Sequence, residues 1–235
     1  MSVRYDLWSP YESLVNALGK AADQAGCGDI WTSPPIGSWL QPSENGDVEL
    51  DGYLHLARWK SRCEHSKLVH ILLHAQETIL DDRGGPMLLK SNVRVYYYRT
   101  DATLLQSVHF DYGKPQAAHP LFHAQVSNVE PSGLSTGEAE ELRFGFTAGA
   151  AGLTCYRDAR IPTSDMTLPS VLLCLAADHL DSDDASQDKR FFREFRDELL
   201  RLQDRLPKPS IPSMLDSLKA QSDHLHSSHW FAHMA

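Results

Sequence analysis

The segment DDRGGP at 81–86 most limits what this chain can fold into, because a helix does not run through two glycines and a proline. The residue pattern also changes period there. Downstream, LLKSNVRVYYYR, ATLLQSVHFDY, PLFHAQVSN, ELRFGF and LTCYRDARI are short runs rich in β-branched and aromatic residues, divided by turn-formers. They predict about five antiparallel strands. SNVEPSGLSTGEAE is the longest loop among them, and FGFTAGAAGL reads as a hairpin turn.

Upstream the spacing is helical. Ser9 as N-cap, Pro10 at the first helical position and Gly26 as the stop predict a helix over about 10–25. Residues 26–48 form a long irregular segment packed down by Trp31 and Trp39. A second helical region follows, clearest in CEHSKLVHILLHAQETIL, where Leu68, Ile71, Leu72, Ala75 and Ile79 make a buried stripe.

Beyond RIPTSD the chain is helical again. Thr167 caps a helix with Pro169 in its first turn and Leu168, Val171, Leu172, Leu175 and Ala176 on its apolar face. KRFFREFRDELLRLQDRL is the clearest helix, with Phe192, Phe195, Leu199, Leu202 and Leu206 on one side and charges on the other. PKPSIPS breaks it, and a last helix starts near Ile211. The expected class is α+β: an antiparallel sheet of about five strands packed by helices on one face. Residues 1–206 form one domain, and 207–235 a C-terminal helical tail or docking segment.

No run approaches the roughly 20 apolar residues of a membrane helix, and the start MSVRYDLWSPYESL lacks the pattern of a secretory signal. Four scattered cysteines without a C-x-x-C pair argue for a reducing, cytoplasmic setting. A formal charge of −9, dispersed basic residues and the run DHLDSDD argue against non-specific DNA binding. A local basic pocket is compatible with that balance.

Chemistry concentrates in HFDYGKPQAAHPLFHAQVS at 109–127. Strand alternation puts His109 and Asp111 on one face, and His123 and Gln125 on one face of the next strand. Pairing Asp111 with His123 and His109 with Gln125 leaves 114–120 as the loop and gathers four polar groups into a patch. Arg94, Tyr96, Tyr98 and Arg160 join them where their strands are neighbours. An aspartate beside a histidine suits acid–base work or metal binding. The same pattern also fits a simply solvated sheet face, and it matches no metal motif of diagnostic spacing.

On the expected second helix, His70 and His74 at i,i+4 with Glu77 one turn on form a candidate site for a divalent metal, set against an ordinary solvated helix face. The tail HLHSSHWFAHMA joins four histidines to Trp230 and Phe231, an expected docking anchor for a protein partner. No nucleophile elbow and no phosphate-cradling glycine loop is present in the sequence.

The order HFDY, then HPLFHAQ, then RIPTSDMTLPSVLLCLAADHL resembles bacterial proteins classed as domains of unknown function, over about residues 93–180. The matching positions are His109, Asp111, His119, His123, Arg160 and Pro162. The resemblance implies a bacterial intracellular protein from a mobile-element, toxin–antitoxin or phage-defence setting, and carries no catalytic assignment.

Two functions are therefore expected. One is a non-enzymatic partner or accessory subunit that docks through its helical tail. The other is a small hydrolase, a nuclease above all, catalysed by His109, Asp111, His123 and Arg160. There His123 is the acid–base, Asp111 its orienter or a metal ligand, and Arg94 or Arg160 the phosphate holder.

Overall fold

The computed structural model describes residues 6–60, 68–82, 85–112, 122–127, 131, 134–145, 160–162, 167–180 and 190–209. The order is α1 (Trp8–Gln24), β1 (Ile30–Ser33), a short 3-10 turn (Ile36–Ser38), β2 (Leu40–Pro42), β3 (Val48–Lys60), β4 (Leu68–Asp82) and β5 (Gly85–Arg99). Then come β6 (Leu104–Tyr112), β7 (Phe122–Ser127), α2 (Thr136–Glu141), β8 (Arg160–Pro162), α3 (Leu168–His179), α4 (Arg190–Leu202) and β9 (Lys208–Pro209). The α+β class holds, but the sheet is larger than five strands. Nine strands run in the order β1-β3-β4-β5-β6-β7-β8, with β2 also on β3 and β9 on β5. All pairs are antiparallel except β5 with β9.

The expected second helix is the interior strand β4, and β3 before it is a strand as well. The reason is burial on both sides. Val69, Ile71, Leu73, Ala75 and Ile79 enter the main core, while Leu72 enters a smaller cluster on the opposite face. A strand covered on both faces reads as a nearly continuous apolar run, and its periodicity does not separate it from a buried helix. Strands β3, β4 and β5 contain 13, 15 and 15 residues, far beyond the usual length of about 5–6. Each carries a register shift, at 56–59, 78–79 and 97–98 respectively. One glycine is essential here: a Cβ on Gly52 would collide with the ring of buried Trp39.

The helices α1, α3 and α4 pack on one face, as expected. Tyr11, Leu14, Leu18 and Ala22 of α1, Val171, Leu172 and Leu175 of α3, and Phe195 and Leu202 of α4 share one core with the sheet. Helix α1 starts earlier than expected, with Leu7 at the N-cap and the Asp6 carboxylate accepting the Ser9 N–H at 3.0 Å. Thr167 does stand at the N-cap of α3, and its five predicted apolar residues are all buried.

Residues 141–145 of the run ELRFGF are not a strand. Ser135 and Glu138 close a capping box that starts α2 inside the expected loop, and Leu142 and Phe144 follow in a turn. Residues 134–145 thereby cover part of the second face, where Leu142, Leu134 and Phe144 pack with Tyr53, Leu72, Tyr96, Tyr98 and Leu104. At the other end, β9 adds to β5 at 208–209, so the chain is still in the sheet past residue 206. The expected terminal helix and histidine-rich tail at 210–235 lie outside the described residues. Among those residues no helix is long and apolar enough to cross a membrane.

Candidate active site

Cross-strand registers place two rows of side-chain positions across the face opposite the three helices. The first row is Tyr53, His74, Arg94, His109, Gln125 and Arg160, one residue from each of β3 to β8. The second, one pleat along, is Asp51, Gln76, Asn92, Asp111, His123 and Pro162. The predicted register of Asp111 with His123 and His109 with Gln125 is the observed one. Arg94 is the cross-strand neighbour of His109, and Arg160 that of Gln125. The side chains of His123 and Arg160, and the whole of His119, lie outside what is described.

Two imidazole–carboxylate pairs stand on either side of Arg94. On β6, His109 Nε2 meets Asp111 Oδ1 at 2.8 Å, and Asn92 Nδ2 donates to the same oxygen at 2.8 Å. Across β3 and β4, His74 Nε2 meets Asp51 Oδ1 at 2.8 Å while Gln76 Nε2 donates to Asp51 Oδ2 at 3.1 Å. The Tyr53 ring stacks on His74, with centroids 4.0 Å apart and planes 12° from parallel. Burial pushes the Tyr96 hydroxyl to higher pKa, opposed by the Arg94 charge.

His74, His109 and Asp111 are withdrawn from solvent more than a wetted sheet face requires, whereas Asp51 is 61% exposed and Gln76 is exposed as well. Side-chain exposure is 8% for His74, and 24% and 29% for His109 and Asp111. Burial lowers the pKa of His74, opposed by the Asp51 carboxylate and reinforced by the Arg94 charge. Burial also raises the Tyr53 hydroxyl to about 12, with Glu138 and Asp51 adding to the shift. The arrangement offers a neutral imidazole, a guanidinium and a second oriented imidazole side by side, which suits proton transfer around a bound anion.

The metal site expected from His70, His74 and Glu77 does not form, because its premise was a helix. On a strand, His70 and His74 share the polar face and Glu77 points to the other. His70 instead accompanies His55: His55 Nε2 and His70 Nδ1 are 2.8 Å apart, and the His70 ring stacks on Phe144 at 4.2 Å. Among the described residues no three His, Cys, Asp or Glu side chains gather as metal ligands would. Two clefts, of about 340 and 370 Å³, lie along α1 on the helical side and include none of the two rows.

Sequence reasoning missed Asp51, Tyr53, Gln76 and Asn92. The alternation in LDGYLHLA at 50–57 carried the signal for β3, and the pairing of β3 with β4 is what brings Asp51 to His74. Compared with known proteins, the chain matches no family model, no curated protein and no solved structure.

His55 gives the fold an acid-sensitive point. It is buried, its Nδ1 lies 2.6 Å from the Leu142 carbonyl, and burial pushes its pKa down to about 4, with His70 adding to the effect. In the unfolded chain the imidazole titrates near 6.5. Stability from this group is thus complete above about pH 6.5 and falls toward pH 4, as the unfolded state takes up a proton that the folded state refuses. The loss is on the order of 3 kcal/mol. Chemical denaturation at pH 7.5 and pH 5 checks this: the wild type should lose stability on acidification, and His55→Gln should flatten the dependence. Equal pH slopes in the two proteins would assign the effect elsewhere.

Proposed function

We propose that this chain is an acid–base hydrolase of phosphoesters, with nucleic acid as the leading substrate class. Arg94 holds the phosphoryl group and the His109–Asp111 pair transfers a proton beside it. The observation that carries the reading is the placing of Arg94 between two imidazole–carboxylate pairs on one partly buried face. Holding His74, His109 and Asp111 largely out of water costs stability, and mutually oriented titratable groups cluster where chemistry is done. His123 and Arg160 extend the same rows by backbone position and join as candidate acid–base and phosphate-holding residues.

The net charge of −9 narrows the substrate. Long duplexes are repelled, so a single phosphoryl group or a short single strand fits better. The alternative of a bacterial accessory protein docking through 207–235 draws its support from the net charge of −9, the dispersed basic residues and the aromatic, histidine-rich tail.

Single-stranded RNA, single-stranded DNA and bis(p-nitrophenyl) phosphate, each with and without divalent cations, test the proposal. The wild type should cleave at least one, and the His109→Gln, Asp111→Asn double variant should be slower by about a hundredfold or more. Its melting temperature should stay within a few degrees. No cleavage by the wild type, or full activity in the double variant, discards the reading and leaves the docking role standing.

A further inference from the structure

We propose that His74, held by Asp51, is the second proton-transfer group of the Arg94 site, acting across the bound phosphoryl group from His109. This rests on the hydrolase reading and adds to it a residue pair from β3 and β4, strands that the His109–Asp111 pair does not involve.

Four observations lead there. First, the Asp51 carboxylate accepts from His74 Nε2, which places the proton of the neutral ring on Nε2 and the basic lone pair on Nδ1. Nδ1 makes no hydrogen bond among the described residues. Second, Tyr53 stacked on the ring and Gln76 on the second Asp51 oxygen fix the pair's orientation. Third, a second imidazole stands against a carboxylate at His109, whose Nε2 lies 2.8 Å from Asp111 Oδ1, although this close contact lacks the hydrogen-bond geometry of the His74–Asp51 pair. Fourth, the spacing suits in-line displacement. His74 and His109 flank Arg94 on consecutive strands, which sets their backbones about 9–10 Å apart. A phosphoryl group held at Arg94 would lie between the two strands that carry these rings, with attacking and leaving oxygens roughly in line.

The step balances without a further reactant beyond water. A lone pair of the attacking water oxygen forms the new P–O bond, and the proton it sheds goes to His74 Nδ1. The P–O bond to the leaving group breaks with its electron pair on the leaving oxygen. That oxygen takes a proton from the His109 imidazolium. Exchange with solvent then restores both rings to their starting forms. The charged and titratable groups acting on His74 are Asp51 from β3, Arg94 from β5 and Glu138 from α2.

The test is the pH profile of kcat/KM on whichever of the three probes the wild type cleaves, together with binding of inorganic phosphate. In the wild type the rate should fall on the acid side as His74 gains its proton. His74→Gln should lower kcat by about 10²–10⁴-fold and remove that acid limb, with phosphate affinity within roughly threefold of wild type, since Arg94 is intact. Asp51→Asn takes away the carboxylate that favours the imidazolium, so the limb should move to lower pH and the rate drop. The Asp51 side chain is 61% exposed, so this variant keeps the test decisive if His74→Gln fails to fold. Unchanged rate and profile in Asp51→Asn, or in a folded His74→Gln, overturns the proposal while the hydrolase reading stands. If the wild type cleaves no probe, the hydrolase reading itself has failed and this inference falls with it.

Discussion

Replacing Glu77 by alanine is expected to destabilise the fold by about 3–5 kcal/mol, the largest stability loss from any single polar side chain described. Glu77 lies on the helical face of β4 and is 2% exposed. Its carboxylate accepts from the Tyr11 hydroxyl at 2.6 Å, from Ser91 Oγ at 3.1 Å and from the Leu168 backbone N–H at 3.0 Å. One side chain thus ties α1, β5 and the N-terminus of α3 to β4. The Leu168 N–H is among the orphan donors of a helix start, where a negative charge is favoured. Burial and this carboxylate together hold the Tyr11 hydroxyl well above its ordinary pKa.

Truncation at Glu77 leaves three buried donors without their acceptor, each costing about 1–3 kcal/mol. For a chain of this size the melting temperature should fall by roughly 10 °C or more. Glu77→Gln keeps the volume but turns one acceptor into a donor, so its loss should be intermediate. Tyr11→Phe removes a single donor and should cost the least. Denaturant titration of the three variants gives the order; an alanine variant as stable as wild type would mean that the carboxylate is not holding these elements together.

The helices after residue 167 and the hairpin of β6 with β7 were legible because their determinants are local. Thr167 and Pro169 start α3, heptad-like spacing marks α4, and a period of two fixes which of His109, Phe110, Asp111 and Tyr112 share a side. The register of the hairpin followed from aligning its two polar sets. What stayed hidden is non-local. Nothing near His74 in the chain names Asp51 as its partner, since that contact exists only once β3 pairs with β4 across the segment 61–67. Glu77 misled for a related reason: helical spacing grouped it with His70 and His74, whereas strand geometry sends it to the other face. The capping-box spacing from Ser135 to Glu138 was present in the sequence and marks α2, yet the glycine and serine around it favoured a loop.

The second large effect concerns Arg94. Arg94→Ala should reduce kcat/KM on the cleaved probe by about a thousandfold and abolish the binding of inorganic phosphate, while stability changes little because the side chain is only half-buried. The argument starts from position: Arg94 is the cross-strand neighbour of His74 on one side and of His109 on the other. A planar fork of donors meets phosphate oxygens better than a point charge does. Arg94→Lys keeps the charge and loses the fork, so it should recover part of the rate, remaining about ten- to a hundredfold below wild type.

The same substitution also has a signature in pH. The Arg94 charge lowers the His74 pKa, so in Arg94→Ala the acid limb should move to higher pH, opposite to its movement in Asp51→Asn. A merely destabilising change would not move the two limbs in opposite directions. Phosphate bound equally well by Arg94→Ala and wild type would instead place the anion elsewhere on the face, and the two imidazoles would lose the group that gives their spacing a purpose.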